Sequence, residues 1–261
     1  MSDSIESSWD TRYKTYGERI EGVLQKSFPK PLNEYFHKWM FNQLKNRICK
    51  GRRAQVLDLG CGYGRLSKAI LDEFPKAQTK GVDISHISVG LYNKNLSPRG
   101  RGYKSDIKKL PFRDKSFDFV FMVTTLMYVT DLKNRRKAMD EIFRVLKSGG
   151  KFVFIERNPV GQGIVTLGGL VEALHGKRNR EILAVGFSPK QMTNLINNSG
   201  GNLLYKRGVP LVTLLVHFLI LFGLLSPSIL RIFLKYIESL DKKFSWLLTP
   251  SLYISYSGSK K

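Results

Sequence analysis

Residues 56–67, which read VLDLGCGYGRLS, hold three glycines at alternate positions between an apolar run and a helical pattern. Val56, Leu57 and Leu59 are typical of a buried parallel strand, and the apolar residues after Arg65 recur at helical spacing. Glycine permits positive φ and lets a ligand approach the backbone, while the first turn of a helix presents unpaired N–H groups. The pattern therefore predicts a ligand-binding turn of the nucleotide type.

The glycine spacing and a preceding acid distinguish this turn from one that binds a dinucleotide. The dinucleotide fingerprint is GxGxxG and holds a pyrophosphate, whereas this turn is GxGxG. Asp58 stands two residues before Gly60, and a carboxylate there suits a cationic ligand. A second acid, Asp83, ends the next short apolar run, 25 positions beyond Asp58. Nucleotide-binding α/β folds place a carboxylate near this spacing to accept hydrogen bonds from ribose hydroxyls.

Five segments, in order, resemble the class I S-adenosylmethionine-dependent methyltransferases, and most closely the branch that modifies ubiquinone and other small molecules. They cover roughly residues 50–160: the glycine turn, the strand ending at Asp83, YKSDI at 103–107, the apolar strand at 116–123, and EIFRVLKSGGKFVF at 141–154. The resemblance implies an α/β fold with a Rossmann-like sheet of seven mostly parallel strands and helices on both faces. It also implies S-adenosyl-L-methionine as the cofactor.

The resemblance further implies roles for single residues. Asp58 would fix the methionine end of the cofactor, and Asp106 would bind the adenine amino group. The N-terminal W-D-x-R-Y resembles the opening of many small-molecule methyltransferases, whose tyrosines face the sulfonium; the alternative is that these aromatic residues only pack the segment onto the sheet. The predicted cofactor-binding residues are Asp58, Gly60, Cys61, Gly62, Gly64, Asp83, Ile84, Asp106, Ile107, Val123 and Tyr16.

Candidate groups for proton transfer are few. Methyl transfer from a sulfonium is an in-line displacement, in which alignment and desolvation can supply about 7 to 11 kcal/mol without a covalent protein intermediate. A general base helps only where the acceptor is a hydroxyl or a protonated amine. We predict His175 and His37 as candidate bases, and Glu156, directly after the fifth strand, as a candidate catalytic residue that contacts the acceptor. The alternative for each histidine is a structural role.

Composition and charge limit the class of partner. The 261 residues, 42% of them hydrophobic, are enough for one large domain with an appended element. A net charge of +22 favours contact with anionic surfaces, either nucleic acid or acidic lipid. The two cysteines show neither disulfide nor zinc spacing, and the polar start shows no secretory signal pattern. We therefore expect a cytoplasmic protein without a metal site, which can be peripheral at a membrane.

An apolar segment near the C-terminus is the second informative feature. The family fold ends in an antiparallel strand pair, predicted here at 202–206 and 252–256, yet about 45 residues separate the two strands. The insertion begins VPLVTLLVHFLILFGLL at 209–225, which is short for a bilayer span, and continues as an amphipathic helix bordered by lysines. It predicts contact with an anionic membrane surface, a lid over an apolar pocket, or a dimer interface.

The predicted units are an N-terminal helical cap (1–50), the cofactor-binding domain (51–208), the hydrophobic insertion (209–250), and a final strand with a basic tail (251–261).

Three functions are compatible with these features. We favour methyl transfer to an oxygen or nitrogen of a hydrophobic or membrane-associated small molecule, such as a lipid or quinone, because this explains both the apolar insertion and the positive charge. A nucleic-acid acceptor explains only the charge, and residues 123–128 lack the Asn/Asp-Pro-Pro-aromatic signature of enzymes that methylate base amino groups. The third possibility is a cofactor-binding membrane or assembly protein without catalysis.

Overall fold

A seven-stranded sheet forms the centre of the computed structural model, which describes residues 2–24, 28–48, 53–164, 184–216 and 226–261. The strands are β1 (Gln55–Leu59), β2 (Gln78–Asp83), β3 (Gly100–Lys104), β4 (Phe117–Val123), β5 (Leu146–Arg157), β6 (Gly201–Gly208) and β7 (Tyr253–Lys260). Their order is β3-β2-β1-β4-β5-β7-β6. The first five strands pair in parallel, and β7 is antiparallel to both of its neighbours. The predicted α/β fold, with its antiparallel last pair, is confirmed.

Helices cover both faces of the sheet. They are α1 (Ser2–Tyr16), α2 (Lys30–Lys45), α3 (Arg65–Glu73), α4 (His86–Leu96), α5 (Leu132–Val145), α6 (Pro189–Asn198) and α7 (Pro227–Lys243). Two clusters of buried apolar side chains result, because α2, α3 and α7 pack on one face while α5 and α6 pack on the other. Ser188 caps the start of α6 through a reciprocal pair of hydrogen bonds with Gln191.

The fifth and seventh strands extend beyond their apolar runs. The apolar run of β5 covers residues 152–155, yet the strand runs over Leu146–Arg157. Likewise β7 continues to Lys260 through a polar stretch, because it lies between β5 and β6 and pairs with both over Gly258, Ser259 and neighbouring residues. Backbone pairing on two sides supplies hydrogen bonds that do not depend on apolar side chains.

One buried carboxylate fastens the link between β6 and β7 to the rest of the protein. Asp241 on α7 accepts hydrogen bonds from the Tyr35 hydroxyl (2.8 Å) and from the backbone N–H groups of Leu211 (2.7 Å) and Val212 (3.2 Å). Burial raises the pKa of Asp241, while these three donors lower it.

Within the described ranges, no helix is long and apolar enough to cross a membrane. Of the apolar run predicted at 209–225, residues 217–225 lie outside those ranges.

Removal of this carboxylate is expected to destabilise the fold. Asp241→Ala leaves a buried hydroxyl and two N–H groups without their acceptor, so we expect a loss of about 2 to 4 kcal/mol in the free energy of unfolding, measured by urea denaturation. Tyr35→Phe removes one donor only and should cost about 1 kcal/mol. As a control, Asp140→Ala removes an exposed carboxylate of α5 and should change stability by less than about 0.5 kcal/mol. Equal effects of the two aspartate substitutions would contradict the anchoring role.

Candidate functional site

A cavity of about 840 Å³ opens at the carboxyl ends of β1 to β4. Open α/β sheets bind their ligands at this edge. Helix α1, the turn after β1, and the residues that follow β2, β3 and β4 form its wall. Nine of the eleven residues predicted to bind a cofactor line it: Asp58, Gly60, Cys61, Gly62, Asp83, Ile84, Asp106, Ile107 and Val123.

The glycines of the turn are required by backbone conformation and by close neighbours. All three have positive φ: +68° at Gly60, +53° at Gly62 and +85° at Gly64. A Cβ added at Gly60 would lie 2.1 Å from the Thr125 hydroxyl oxygen, and one at Gly62 would lie 2.5 Å from the Tyr13 hydroxyl oxygen. Neither position can accept a larger residue without displacing part of the cavity wall.

Gly64 differs from the prediction, because it does not line the cavity. It is the N-cap of α3, and a Cβ there would lie 2.7 Å from the side chain of Leu96 and 3.0 Å from that of Tyr92. Its absent side chain therefore lets α4 pack closely against α3. The glycine has a packing role, and the ligand-facing part of the turn ends before it.

Asp83 holds the glycine turn in place. One carboxylate oxygen accepts the N–H of Gly62 (2.9 Å), and the other accepts the N–H of Ser85 (2.9 Å). Burial raises the pKa of Asp83, whereas the hydrogen bonds from Ser85 and Gly62 lower it. The Ser88 hydroxyl and the N–H of Ile84 lower this pKa further. Asp83 also lines the cavity, where its carboxylate would meet a bound ligand.

Asp58 is the second acid of the wall and is 4% exposed. It accepts a hydrogen bond from the Ser67 hydroxyl (2.7 Å), and burial raises its pKa to about 7. The hydrogen bond from Ser67 and the positive charge of Arg65 act in the opposite direction. Burial makes the charged form of Asp58 unfavourable. A cationic ligand beside it would stabilise that charged form.

Arg65 is a cation in the same wall whose hydrogen-bond partners are uncharged. Its guanidinium donates to Nδ1 of His37 and lies 3.8 Å from the sulfur of Met40. Among the described residues, no carboxylate oxygen lies within 4.0 Å of it. Burial lowers the pKa of Arg65 despite the nearby negative charge of Asp58. The arrangement leaves Arg65 able to accept an anionic group of a ligand.

His37 is not placed to act as the predicted base. It does not line the cavity, and its Nδ1 is occupied by the hydrogen bond from Arg65. Burial, followed by the charge of Arg65, lowers its pKa to about 4, so the ring is neutral and accepts this bond. His175, the other candidate base, lies outside the described residues, and its role stays a prediction.

Polar contacts fasten α1 over the ends of β2 and β3. Glu6 pairs with Lys104 (2.6 Å), which ends β3. Asp10 accepts a hydrogen bond from the Ser85 hydroxyl (2.5 Å) and lies 2.9 Å from Nδ1 of His86. The N-terminal helix is thereby attached to the residues that follow the two strands, and it covers the cavity on that side.

An aromatic group from α1 also contributes to the wall, although its members differ from the prediction. Trp9 packs edge-on against Tyr128 at 5.2 Å between ring centroids, and Tyr13 is 4% exposed. Tyr16 does not line the cavity. It is the last residue of α1 and packs against the turn at Ile20–Gly22, with its ring 5.1 Å from the guanidinium of Arg19. Within α1, the tyrosine that lines the cavity is Tyr13, one helical turn from Trp9.

The turn after β4 carries backbone strain and is held by Glu156. Thr124 has φ of +51°, a conformation that is costly for a β-branched residue. Glu156 accepts the N–H groups of Thr125 (3.0 Å) and Leu126 (2.8 Å), and burial raises its pKa to about 7. Glu156 is 1% exposed and does not line the cavity, so it positions this turn rather than contacting an acceptor. No pattern in the sequence indicates the strained threonine.

Residues 57–154 match the family model described as a methyltransferase domain. The chain is 35% identical over 100 residues to a sterol 4-C-methyltransferase of Caenorhabditis elegans, covering 37% of this chain and 29% of that protein. It is 32% identical over 112 residues to a ubiquinone/menaquinone biosynthesis C-methyltransferase of Desulfotalea psychrophila, covering 42% of this chain and 44% of that protein. The similarity thus spans less than half of either relative.

Solved structures share the fold over a greater length. The crystal structure of geranyl diphosphate C-methyltransferase from Streptomyces coelicolor, in complex with Mg²⁺, geranyl diphosphate and S-adenosyl-L-homocysteine, superposes with a TM-score of 0.64. The alignment covers 100% of this chain and 98% of that one, with 14% sequence identity. At this identity the likeness establishes the fold alone.

Asp58 predicts a pH dependence of stability in the ligand-free protein. Its folded-state pKa of about 7 lies above its ordinary value of 3.8, so its contribution is complete at low pH and is lost as the pH rises through about 7. Asp58→Asn keeps an acceptor for Ser67 and cannot ionise. We expect the variant to gain about 1 to 3 kcal/mol relative to the native chain between about pH 5 and pH 8, measured by urea denaturation.

The difference between the two proteins isolates Asp58 from the other groups that titrate. Glu156 changes stability in the same direction over this range, whereas His37, with its lowered pKa, contributes stability that is lost towards low pH. Both are present in the variant and cancel in the comparison. A stability difference that stays constant with pH would contradict the raised pKa.

Proposed function

We propose that this chain, whose residues 57–154 match a methyltransferase domain, belongs to the class I S-adenosylmethionine-dependent family and transfers a methyl group to a hydrophobic small molecule. The observation that carries the proposal is the cavity wall, in which the glycine turn meets Asp58, Asp83 and Asp106 at the carboxyl edge of the sheet. S-adenosyl-L-methionine would supply an electrophilic methyl group on a sulfonium. The protein would then align the acceptor and exclude water.

The amino-acid end of the cofactor fits the charges at one end of the wall. This end is a zwitterion, and Asp58 offers a carboxylate to its ammonium group. Arg65 offers a guanidinium to its carboxylate, and its present partners, His37 and Met40, carry no negative charge. Asp58 and Arg65 would therefore each gain an oppositely charged partner, which would offset the cost of burying their own charges.

The nucleoside end fits the acids that follow β2 and β3. Asp83 lines the cavity, and its carboxylate would accept hydrogen bonds from the ribose hydroxyls. Asp106 accepts the N–H of Lys108 (2.9 Å) and pairs with its ammonium group (3.2 Å), so its carboxylate is fixed at the cavity wall. It would accept a hydrogen bond from the adenine amino group.

The remaining wall supports a largely apolar acceptor. Trp9, Tyr13 and Tyr128 provide aromatic surface, and no histidine lies among the described residues of the wall. Burial, followed by the charge of Asp83, raises the pKa of Tyr13 well above its ordinary value, so its hydroxyl stays protonated and can only donate or accept a hydrogen bond. Alignment and desolvation would supply most of the catalytic effect.

Oxygen or nitrogen is the acceptor atom that we place first, as the sequence predicts. Carbon is a second candidate, because the sterol and quinone relatives are named as C-methyltransferases. The aromatic rings of Trp9 and Tyr128 also suit the positive charge that develops when a carbon–carbon double bond is methylated. Both candidates share the hydrophobic class of acceptor.

Asp83→Asn tests the cofactor site. The variant keeps one acceptor oxygen but loses the charge that strengthens hydrogen bonds to hydroxyl groups, so we expect binding of S-adenosylhomocysteine to weaken by about 10-fold to 100-fold. The measurement is isothermal titration calorimetry. Asp140→Asn, on the outside of α5, is the matched control and should bind as the native chain does. Unchanged affinity in Asp83→Asn, with its urea midpoint intact, would refute the assigned site.

Transfer of a radiolabelled methyl group identifies the class of acceptor. The native chain is incubated with labelled cofactor and either a total lipid extract or total RNA, and we expect the label in the organic phase. Mass spectrometry and NMR of the product then distinguish oxygen, nitrogen and carbon. Label in the RNA would contradict the proposal, and binding of the cofactor without any transfer would favour a protein that has no catalytic function.

A further inference from the structure

Helix α7 presents a stripe of large apolar side chains to the outside of the protein. The stripe consists of Ile229, Ile232, Tyr236 and Leu240, whose exposed fractions are 54%, 61%, 70% and 43%. Their spacing of three and four residues places them along one face of the helix. Trp246, shortly after the helix ends, adds a further ring that is 67% exposed. Contiguous exposed apolar surface of this kind marks an interaction site.

The stripe is not the face that α7 uses to fold. The buried face carries Leu230, Leu234, Ile237 and Asp241, each 5% exposed or less. Leu230, Leu234 and Ile237 belong to the core cluster that includes residues of α2, and Asp241 is bonded to Tyr35 of that helix. Helix α7 therefore has two apolar faces, and the core covers only one of them.

Basic residues border the stripe. Arg231, Lys235 and Lys242 fall on the helix face beside it, and Lys243 lies at its C-terminal end. Lys242 pairs with Glu238, which also pairs with Lys38. In the part of the chain that the structure describes, Arg231, Lys235 and Lys243 form no ion pair. Their charges are thus available to an anionic partner next to the apolar surface.

We propose that α7 docks this protein onto the surface of an anionic lipid bilayer. The stripe would enter the boundary between headgroups and acyl chains, and the bordering bases would contact lipid phosphates and carboxylates. The net charge of +22 adds a long-range attraction to the same surface. The docking does not depend on the methyl-transfer reaction proposed above.

Charge favours the bilayer over a second copy of this chain. A dimer formed through the stripe would bring Arg231, Lys235 and Lys243 of both copies close together, and like charges at an interface oppose association. A nucleic acid would satisfy the bases but would leave the stripe in water. An anionic lipid surface offers an apolar phase and negative charge at the same boundary, which matches both the stripe and its bordering bases.

Vesicle co-sedimentation of the full chain tests the proposal. The probes are phosphatidylcholine vesicles with and without phosphatidylserine. We expect the native chain to sediment with the phosphatidylserine vesicles, and added salt to reduce this binding.

The double variant Ile232→Asp with Tyr236→Asp should partition at least about tenfold more weakly, because it places two charges at the apolar boundary. Leu132→Asp, which replaces a 76% exposed leucine of α5, is the matched control and should bind as the native chain does.

A second variant separates the charge from the apolar surface. Arg231→Gln with Lys235→Gln keeps the stripe, so it should lose much of its preference for phosphatidylserine while folding normally. Urea midpoints of all variants show whether each one folds. The proposal is overturned if the native chain does not bind the vesicles, or if the stripe variant binds as tightly as Leu132→Asp. It is also overturned if size-exclusion chromatography shows a dimer that only the stripe variant disrupts.

Discussion

The paired hydrogen bonds to Asp83 are the interaction on which the site depends. This carboxylate joins the N–H of Gly62, in the turn after β1, to that of Ser85, the N-cap of α4. The Ser85 hydroxyl in turn donates to Asp10 of α1. A single chain of hydrogen bonds therefore links the glycine turn, the end of β2 and the helix that covers the cavity. A change at Asp83 would reach all three parts, which makes the conservative exchange to asparagine the informative one.

Buried carboxylates that accept backbone N–H groups also hold two irregular segments among the described residues. Glu156 holds the strained turn after β4, and Asp241 holds the start of the insertion after β6. In both residues burial raises the pKa and the backbone donors lower it, so the hydrogen bonds offset part of the cost of desolvation. Such acceptors replace the ladder hydrogen bonds that loops lack. An acidic residue close to a ligand-binding edge can therefore have a structural role, in which it accepts the N–H groups of a neighbouring loop.

The sequence predicted the part of the site that would bind the methyl donor more completely than the part that covers the cavity. Glycine spacing and the distance from Asp58 to Asp83 are local properties, and both follow from a strand that runs into a helix. Tyr16 is among the predicted cofactor-binding residues, yet it is the last residue of α1 and packs against the turn that follows. The sequence does not reveal where this helix ends. The predicted catalytic role of Glu156 rests on its position after the fifth strand, which shows only that it lies at the correct edge of the sheet. Whether a side chain there enters the cavity or turns towards a neighbouring loop depends on tertiary packing.

The insertion shows why apolar periodicity alone left three alternatives. A lid, a dimer contact and a membrane surface each need an amphipathic helix, and the sequence of α7 satisfies all of them. Burial separates the two apolar faces: Leu234 and Ile237 enter the core, whereas Ile232 and Tyr236 remain outside. A lid would need its second face turned towards a cavity, and the described cavity wall contains no residue of α7. The choice that remains is between partners that approach from outside, and there the unpaired bases beside the stripe favour an anionic surface over a copy of the same basic chain.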